Sequence, residues 1–373
     1  MLTSTTLLLC SYAGIAETNN PTTLAAQRLS KILERQQFFL NNASKPNRRL
    51  DQDELTRRAQ EIVTSFESYL NDNERDVNAL ILYGKFLRKM DQSRQATGLF
   101  LEAEKIDPRL AVIKQHIGNY LVEEGRLADA LPYLLKATQL EPKQPIYHHQ
   151  LGTFLFLFGE DLVTLGIASF ETNSKSMHQA FRAASKLAPN NFEYKLRFAQ
   201  SFFDVPNPNW SEALQTWQKL RAQARERPLQ EREYLAIGEA KTLSELRREE
   251  EAKVILKTIT SPALRKTREN IIKGLDQKQK KKSGVHQNSD APAKKHSRKA
   301  NLEELPEKFI DNNLRRLRQV SSRLREEKLL SKMQVDVIRA SYDKRGEVRI
   351  SLSRLVDPSH PKRQSPETII RNL

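Results

Sequence analysis

The chain has 373 residues, 38% of them hydrophobic and 29% charged, with a formal net charge of +16. That length suits two or three ordinary domains, and only twelve glycines argue against a β-sandwich with its many tight turns. The single cysteine, Cys10, excludes an intrachain disulfide and a cysteine-based zinc site, and no run reaches the roughly 18 consecutive apolar residues of a membrane span.

In chain order the first feature is LLLCSYAGIA, Leu7 to Ala16. It is a short apolar run closed by Gly14 and Ala16, small residues placed as before a signal-peptidase cut, although no basic segment precedes it. Residues 1–16 are therefore read as a signal for export to a bacterial periplasm or cell envelope. The other readings are a lipobox at Leu7 to Cys10, with Leu9 where a small residue is expected, and an uncleaved cytoplasmic N-terminus. A helix is predicted over Thr22 to Leu40, within an N-terminal segment 17–50. A second, over Leu55 to Leu70, carries Ile62, Phe66 and Tyr69 on one face.

From residue 77 the sequence repeats itself. Tyr83-Gly84, Leu87, Ala96, Phe100, Ala103 and Pro108 recur 34 residues later as Ile117-Gly118, Leu121, Ala130, Leu134, Ala137 and Pro142. Leu151-Gly152 and Leu155 continue the series. A fixed period of this length marks a helical solenoid. The Gly of each first helix and the Ala residues of each second helix let two helices approach closely, large residues fill the space beside them, and the Pro ends the second helix. The pattern resembles the tetratricopeptide repeat family, W-x2-L-G-x2-Y followed by A-x3-F-x2-A-x4-P. The match is firm over 77–110 and 111–144, where Lys114 takes the place of a large apolar residue. A third repeat, 145–191, ends in Phe181, Ala184 and Pro189, with about 13 extra residues placed around Thr164 to Ser176. The fourth, 192–228, has Phe198, Ala199, Phe202, Ala213, Trp217 and Leu220. The fifth, 229–262, has Tyr234, Ile237, Gly238, Ala252, Leu256 and Pro262. The resemblance implies an all-α right-handed superhelix spanning 51–262.

Beyond 262 the composition changes. Residues 263–300 are read as a lysine-rich linker. Its 276–300 portion, net +6, has no apolar face to offset ordering entropy and is expected to be disordered. Residues 301–355 contain an arginine-rich helix marked by Leu305, Phe309, Leu314, Leu317, Val320 and Leu324. After it come two candidate strands, MQVDVIRASY and EVRISLSRL, joined by a turn with Gly346. Such a hairpin needs something to pack on. Residues 356–373 read as a flexible tail.

Catalytic signatures are lacking: there is no phosphate loop, H-E-x-x-H or nucleophile elbow. His148 and His149 are adjacent, so on a helix they point about 100° apart and make a poor metal pair. No metal or cofactor is implied, and the expected function is binding. His148 is expected to pack towards a neighbouring helix and His149 to face the groove. The family resemblance places groove-facing positions at Lys85, Arg88 and Lys89, at His116 and Asn119, at His149 and Gln150, and at Arg197 and Gln200. It implies a protein or peptide partner, with the three cations favouring acidic residues. The two-carboxylate clamp of chaperone-binding members is not reproduced, because its Lys and Asn of the first repeat would fall on Ile81 and Lys85 and its Lys and Arg of the third on Ile146 and Gln150. Phe154, Phe156 and Phe158 read as core. The alternative is a structural protein tethered to an anionic surface, a membrane or wall polymer, by the basic C-terminal region. Specific nucleic-acid binding is not expected, since no aromatic residues interleave with the lysines.

Overall fold

The computed structural model describes residues 23–43, 50–283, 307–327 and 335–354. The apolar run at 1–16 with Cys10, residues 284–300 of the lysine-rich stretch, and the tail from 355 lie outside the described residues. Contacts divide the chain into two units, residues 1–109 with 322–373, and residues 110–321.

The first unit contains α1 (Leu24–Ala43), α2 (Gln52–Asp72), α3 (Val77–Lys89) and α4 (Ser93–Ile106). Aspartates cap the starts: Asp51 Oδ1 accepts from Glu54 N–H at 2.8 Å and Asp76 Oδ1 from Ala79 N–H at 3.1 Å. One face of α2, with Leu55, Ala59, Ile62, Val63 and Phe66, is buried. Phe66 stacks on Tyr83 of α3 with ring centroids 5.0 Å apart. The same unit holds an antiparallel hairpin, β1 (Val335–Tyr342) and β2 (Val348–Arg354). Its turn is tied by Asp343, whose carboxylate accepts from the N–H groups of Arg345 and Glu347, and Gly346 has a φ of 79°.

The hairpin packs on the N-terminal helices, a partner that its own sequence does not specify. Ala340 N–H donates to Thr56 Oγ1 of α2 at 2.8 Å, and Val337 N–H donates to Gln60 Oε1. On the other strand, Ile350 N–H donates to Met90 O at 3.2 Å and Gln92 Nε2 donates to Ile350 O at 2.5 Å. Both strands thus make hydrogen bonds to helix side chains or to the α3–α4 turn, and Val337, Ala340, Val348 and Ile350 are buried. An ion pair adds to this docking, Arg349 of β2 meeting Asp91 at 2.5 Å, while Arg325, ahead of the hairpin, meets the buried Glu104 of α4 at 2.9 Å.

The second unit runs α5 (Ala111–Glu123), α6 (Leu127–Leu140), α7 (Pro145–Leu157), α8 (Gly159–Thr164), α9 (Phe170–Leu187), α10 (Phe192–Ser201), α11 (Trp210–Gln223), α12 (Leu229–Glu245), α13 (Glu249–Lys257) and α14 (Arg265–Ser283). Within it α5 packs on α6, α7 on α9 and α12 on α13, as helix-turn-helix pairs. Pro108, Pro142 and Pro189 each fall two residues beyond the end of α4, α6 and α9 respectively, where a helix cannot continue. Helix α15 (Glu307–Glu326) is amphipathic, burying Phe309, Val320 and Leu324 while Arg315, Arg316 and Arg318 are exposed. No helix among the described residues is long and apolar enough to cross a membrane.

Two expectations change. The segment expected to begin a linker at 263 instead runs through a 3-10 turn, Pro262–Leu264, into helix α14 as far as Ser283. Ile271, Ile272 and Leu275 fall on one face and pack with Ala236, Ile237 and Leu256, an apolar stripe that the surrounding lysines obscure. The extra residues of the third repeat begin earlier than Thr164: they form α8 with its connections, plus added length on α9. The polar run Glu171 to Ser176 lies inside α9. Within the helix Ser174 Oγ donates to Phe170 O at 2.7 Å and Asn173 Nδ2 donates to Leu155 O at 2.9 Å.

Candidate binding face

One contact recurs along the chain. A Cβ added to Gly84 would sit 2.7 Å from the Phe100 ring, one on Gly118 3.0 Å from Leu134, and one on Gly152 2.8 Å from the Phe181 ring. In each case the missing side chain of the first helix makes room for the large residue of its own second helix. Ala96, Ala103, Ala130, Ala137 and Ala184 are all buried beside these contacts. Lys114, at the position of a large apolar residue, is itself buried, its Nζ 5.8 Å from the centre of the Tyr133 ring. Gly238 differs, because its space is filled by Trp217 of the preceding repeat.

In the second unit the first helices α7, α10 and α12 contribute one connected set of side chains. Arg197 of α10 lies over Phe156 of α7 at 3.8 Å and over Phe181 of α9 at 4.7 Å. Its Nη1 donates to Gln200 Oε1 at 3.2 Å, and Gln200 Nε2 donates to Tyr234 Oη of α12 at 2.8 Å. Burial pushes the Arg197 pKa below its ordinary value, against the opposing pull of Asp204, whose own pKa burial raises. Phe156 and Tyr234 remain 43% and 40% exposed. The Tyr234 hydroxyl accepts from Gln200 and keeps its own proton to donate.

His149 does not face open solvent. It is 8% exposed, stacked on Tyr194 at 4.6 Å and edge-on to Phe181 at 5.8 Å, because α10 of the next repeat covers it. Burial, aided by the charge of Arg197, pushes its pKa down to about 4. His148, expected to pack towards a neighbouring helix, is half-buried with its Nε2 2.8 Å from Pro142 O in the preceding turn. A second buried imidazole, His178 of α9, holds Ser201 Oγ at 2.7 Å and also has its pKa lowered to about 4, chiefly by burial. Ser201 Oγ donates to Phe198 O, so His178 Nδ1 carries the proton that Ser201 accepts. Phe156 departs from the core assignment, whereas Phe154 is buried.

No family model matches the chain. A curated relative is the probable UDP-N-acetylglucosamine–peptide N-acetylglucosaminyltransferase SPINDLY of Hordeum vulgare, 28% identical over 141 residues. The match takes in 38% of this chain and 15% of that protein's length. Among solved structures, YrrB, described as a TPR protein with an unusual peptide-binding site, is 18% identical with a TM-score of 0.42, covering 52% of this chain and 89% of its own. PilF of Pseudomonas aeruginosa is 17% identical with a TM-score of 0.41, covering 68% and 99%. The deciding observation is internal: a 34-residue period over 77–155 in which three successive helix pairs close through the same glycine contact. The chain is built of tetratricopeptide repeats.

The predicted groove positions divide between the two units. Lys85 and Lys89 on α3 are exposed and Arg88 is half-buried. His116 and Asn119 on α5, Gln150 on α7, and Arg197 and Gln200 on α10 are half-buried in the second unit. The structure joins Arg197 to Gln200 and adds two residues that the repeat positions did not select, Phe156 and Tyr234. The alternation of phenylalanines over 154–158 drew Phe156 into the core; a strict 3.6-residue period separates it from Phe154.

Proposed function

We propose that this tetratricopeptide repeat protein is a non-catalytic scaffold that binds a protein segment along the face of its first helices. The observation that carries this reading is the connected row Phe156, Arg197, Gln200 and Tyr234 across α7, α10 and α12. It is ordered by its own contacts yet leaves two aromatic rings and a phenolic donor partly exposed. Such a row suits an extended backbone, whose carbonyls accept from Tyr234 while apolar side chains lie on the rings. In the first unit, Lys85 and Lys89 with Arg88 would favour acidic residues of the same class of partner.

The test is site-specific photo-crosslinking in the native cell. A photoreactive phenylalanine at Tyr234 should give a discrete protein adduct, identified by mass spectrometry. The same group at Lys219, exposed on the second helix α11, should not. Equal adducts at both sites, or none at 234, would defeat the reading.

A second reading rests on Arg315, Arg316 and Arg318, exposed on α15, which would hold the protein to an anionic surface. It predicts co-sedimentation with phosphatidylglycerol vesicles that is lost when all three are changed to Gln. The proposal that residues 1–16 are a cleaved export signal is checked by N-terminal sequencing of the mature protein.

A further inference from the structure

The third repeat carries a feature the repeat does not need. Three residues join α5 to α6, but twelve join α7 to α9, and α8 lies among them. This inserted element is firmly placed. Leu162 is wholly buried. Gly166, with a φ of 66°, ends α8, and Ile167 N–H returns to Leu162 O at 2.9 Å in a helix-closing turn. Ser169 then caps α9, accepting from Thr172 N–H at 3.1 Å. Asn173 ties the end of α7 to α9 through Leu155 O.

On this ordered support four large apolar side chains point outward: Leu157 at 61% exposure, Val163 at 38%, Leu165 at 57% and Phe170 at 64%. They fall within fourteen consecutive residues. Scattered apolar residues are ordinary on a surface, but four exposed ones so close in the chain, on an ordered support, point to an interaction site. Its charge is equally distinctive. The chain averages about one Lys or Arg in six residues, yet has none between Lys143 and Lys175. That interval contains Glu160, Asp161 and Glu171, all exposed. Glu171 is paired with Lys175 at 2.6 Å, which leaves Glu160 and Asp161 on α8 beside the exposed apolar residues of the same cation-free segment, a combination that attracts a cationic apolar segment and repels an acidic one.

We infer that the α8 insertion is a second docking surface, separate from the first-helix row, for a basic amphipathic segment of a partner protein. Apolar side chains of that segment would cover Val163, Leu165 and Phe170, and its Lys or Arg residues would face Glu160 and Asp161.

The test uses the full chain and a fluorescent fourteen-residue amphipathic Leu/Lys peptide, with a Leu/Glu peptide of the same pattern as control. The wild-type protein should bind the Leu/Lys peptide in a salt-sensitive manner. The double variant Leu165→Ser, Phe170→Ser should weaken this about tenfold or more. Glu160→Gln with Asp161→Asn should weaken it by a smaller factor and reduce the salt dependence. Tyr234→Ala should leave it unchanged, so failure here and failure of the first-helix reading are told apart. Equal binding of the Leu/Glu peptide, or undiminished binding by the double variant, would overturn the inference. Self-association in sedimentation velocity that vanishes in the double variant would assign the patch to a second copy instead. Binding to phosphatidylcholine vesicles that vanishes in that variant would assign it to lipid.

Discussion

The second and third repeats are built on the same contact and differ in what surrounds it. In the second, Gly118 makes room for Leu134, a flexible side chain, and three residues join the two helices. In the third, Gly152 faces the rigid ring of Phe181. That ring also contacts Arg197 and His149, and the helix connection has grown to hold α8. The glycine contact sets where two helices sit, so it persists. The connection runs outside the packed interface and is free to lengthen, since loop closure grows only slowly more costly with length. The lesson is that the repeat conserves geometry while the third copy adds chemistry around it.

The comparison breaks most visibly at Phe181. This wholly buried ring closes the α7–α9 pair and also supports Arg197 and His149. Phe181→Ala should cost about 3–5 kcal/mol in urea unfolding, and the row from Phe156 to Tyr234 should lose its order. Leu134→Ala should lower stability but leave photo-crosslinking from Tyr234 intact. If both variants disturbed that crosslinking equally, the third repeat would have no special part in ordering the row.

Acid should separate the repeats next. His149 and His178 have folded pKa values near 4, below the ordinary 6.5 of an unfolded chain. Between those values the unfolded state binds more protons, so stability rises with pH through the window and is lost as pH falls from about 6.5 towards 4. Each imidazole contributes up to roughly 3 kcal/mol of this loss. Amide exchange should therefore open α7, α9 and α10 on acidification before α5 and α6. Replacing both histidines by Gln should flatten the stability profile over that range. A profile unchanged by the double variant would assign the acid sensitivity to other groups.

Much of this arrangement is legible in the residues themselves. Glycines, alanines and terminating prolines at a fixed period specify the helix pairs, because close approach and helix ending are local demands with few residue solutions. The turn DKRG likewise announces the hairpin. What the hairpin packs on is not local: Thr56, Gln60 and Met90 meet it from nearly three hundred residues away in the chain. The depth of His149 is hidden for a related reason. Its position in the repeat assigns it to a face of α7, but Tyr194 of the following repeat decides whether that face is covered. Asn173 and Ser174 look like loop residues until their hydrogen bonds to Leu155 and Phe170 place them inside a helix.

A finer test compares the two glycines directly. Gly118→Ala should be nearly neutral: the new methyl comes 3.0 Å from Leu134 Cδ2, 3.2 Å from its Cγ and 3.3 Å from Tyr133 Cβ, approaches that shifts of a few tenths of an ångström relieve, and the helix gains up to about 1 kcal/mol from replacing Gly. Gly152→Ala meets a ring pinned on two sides, so overpacking should outweigh the helical gain and leave a net loss of about 1–2 kcal/mol. The difference between their urea midpoints measures how far the Arg197 assembly stiffens the third repeat. Equal midpoints would mean that Phe181 yields as readily as Leu134.

The smallest effect is expected at the insertion's own surface. Leu165→Ser with Phe170→Ser removes two side chains that are more than half exposed and leaves the buried Leu162, the Gly166 turn and the Ser169 cap in place. Thermal unfolding should therefore shift by no more than about 0.5 kcal/mol. That near-neutrality carries information. If α8 were only filler, its exposed apolar residues would be dispensable both for stability and for binding, and the double variant would behave as wild type throughout. If those residues supported the α7–α9 pair, the variant would unfold early, like Phe181→Ala. A variant that keeps its stability but loses the Leu/Lys peptide separates the two roles: Leu162 fastens the insertion to the repeat, and Leu165 and Phe170 face outward for a partner.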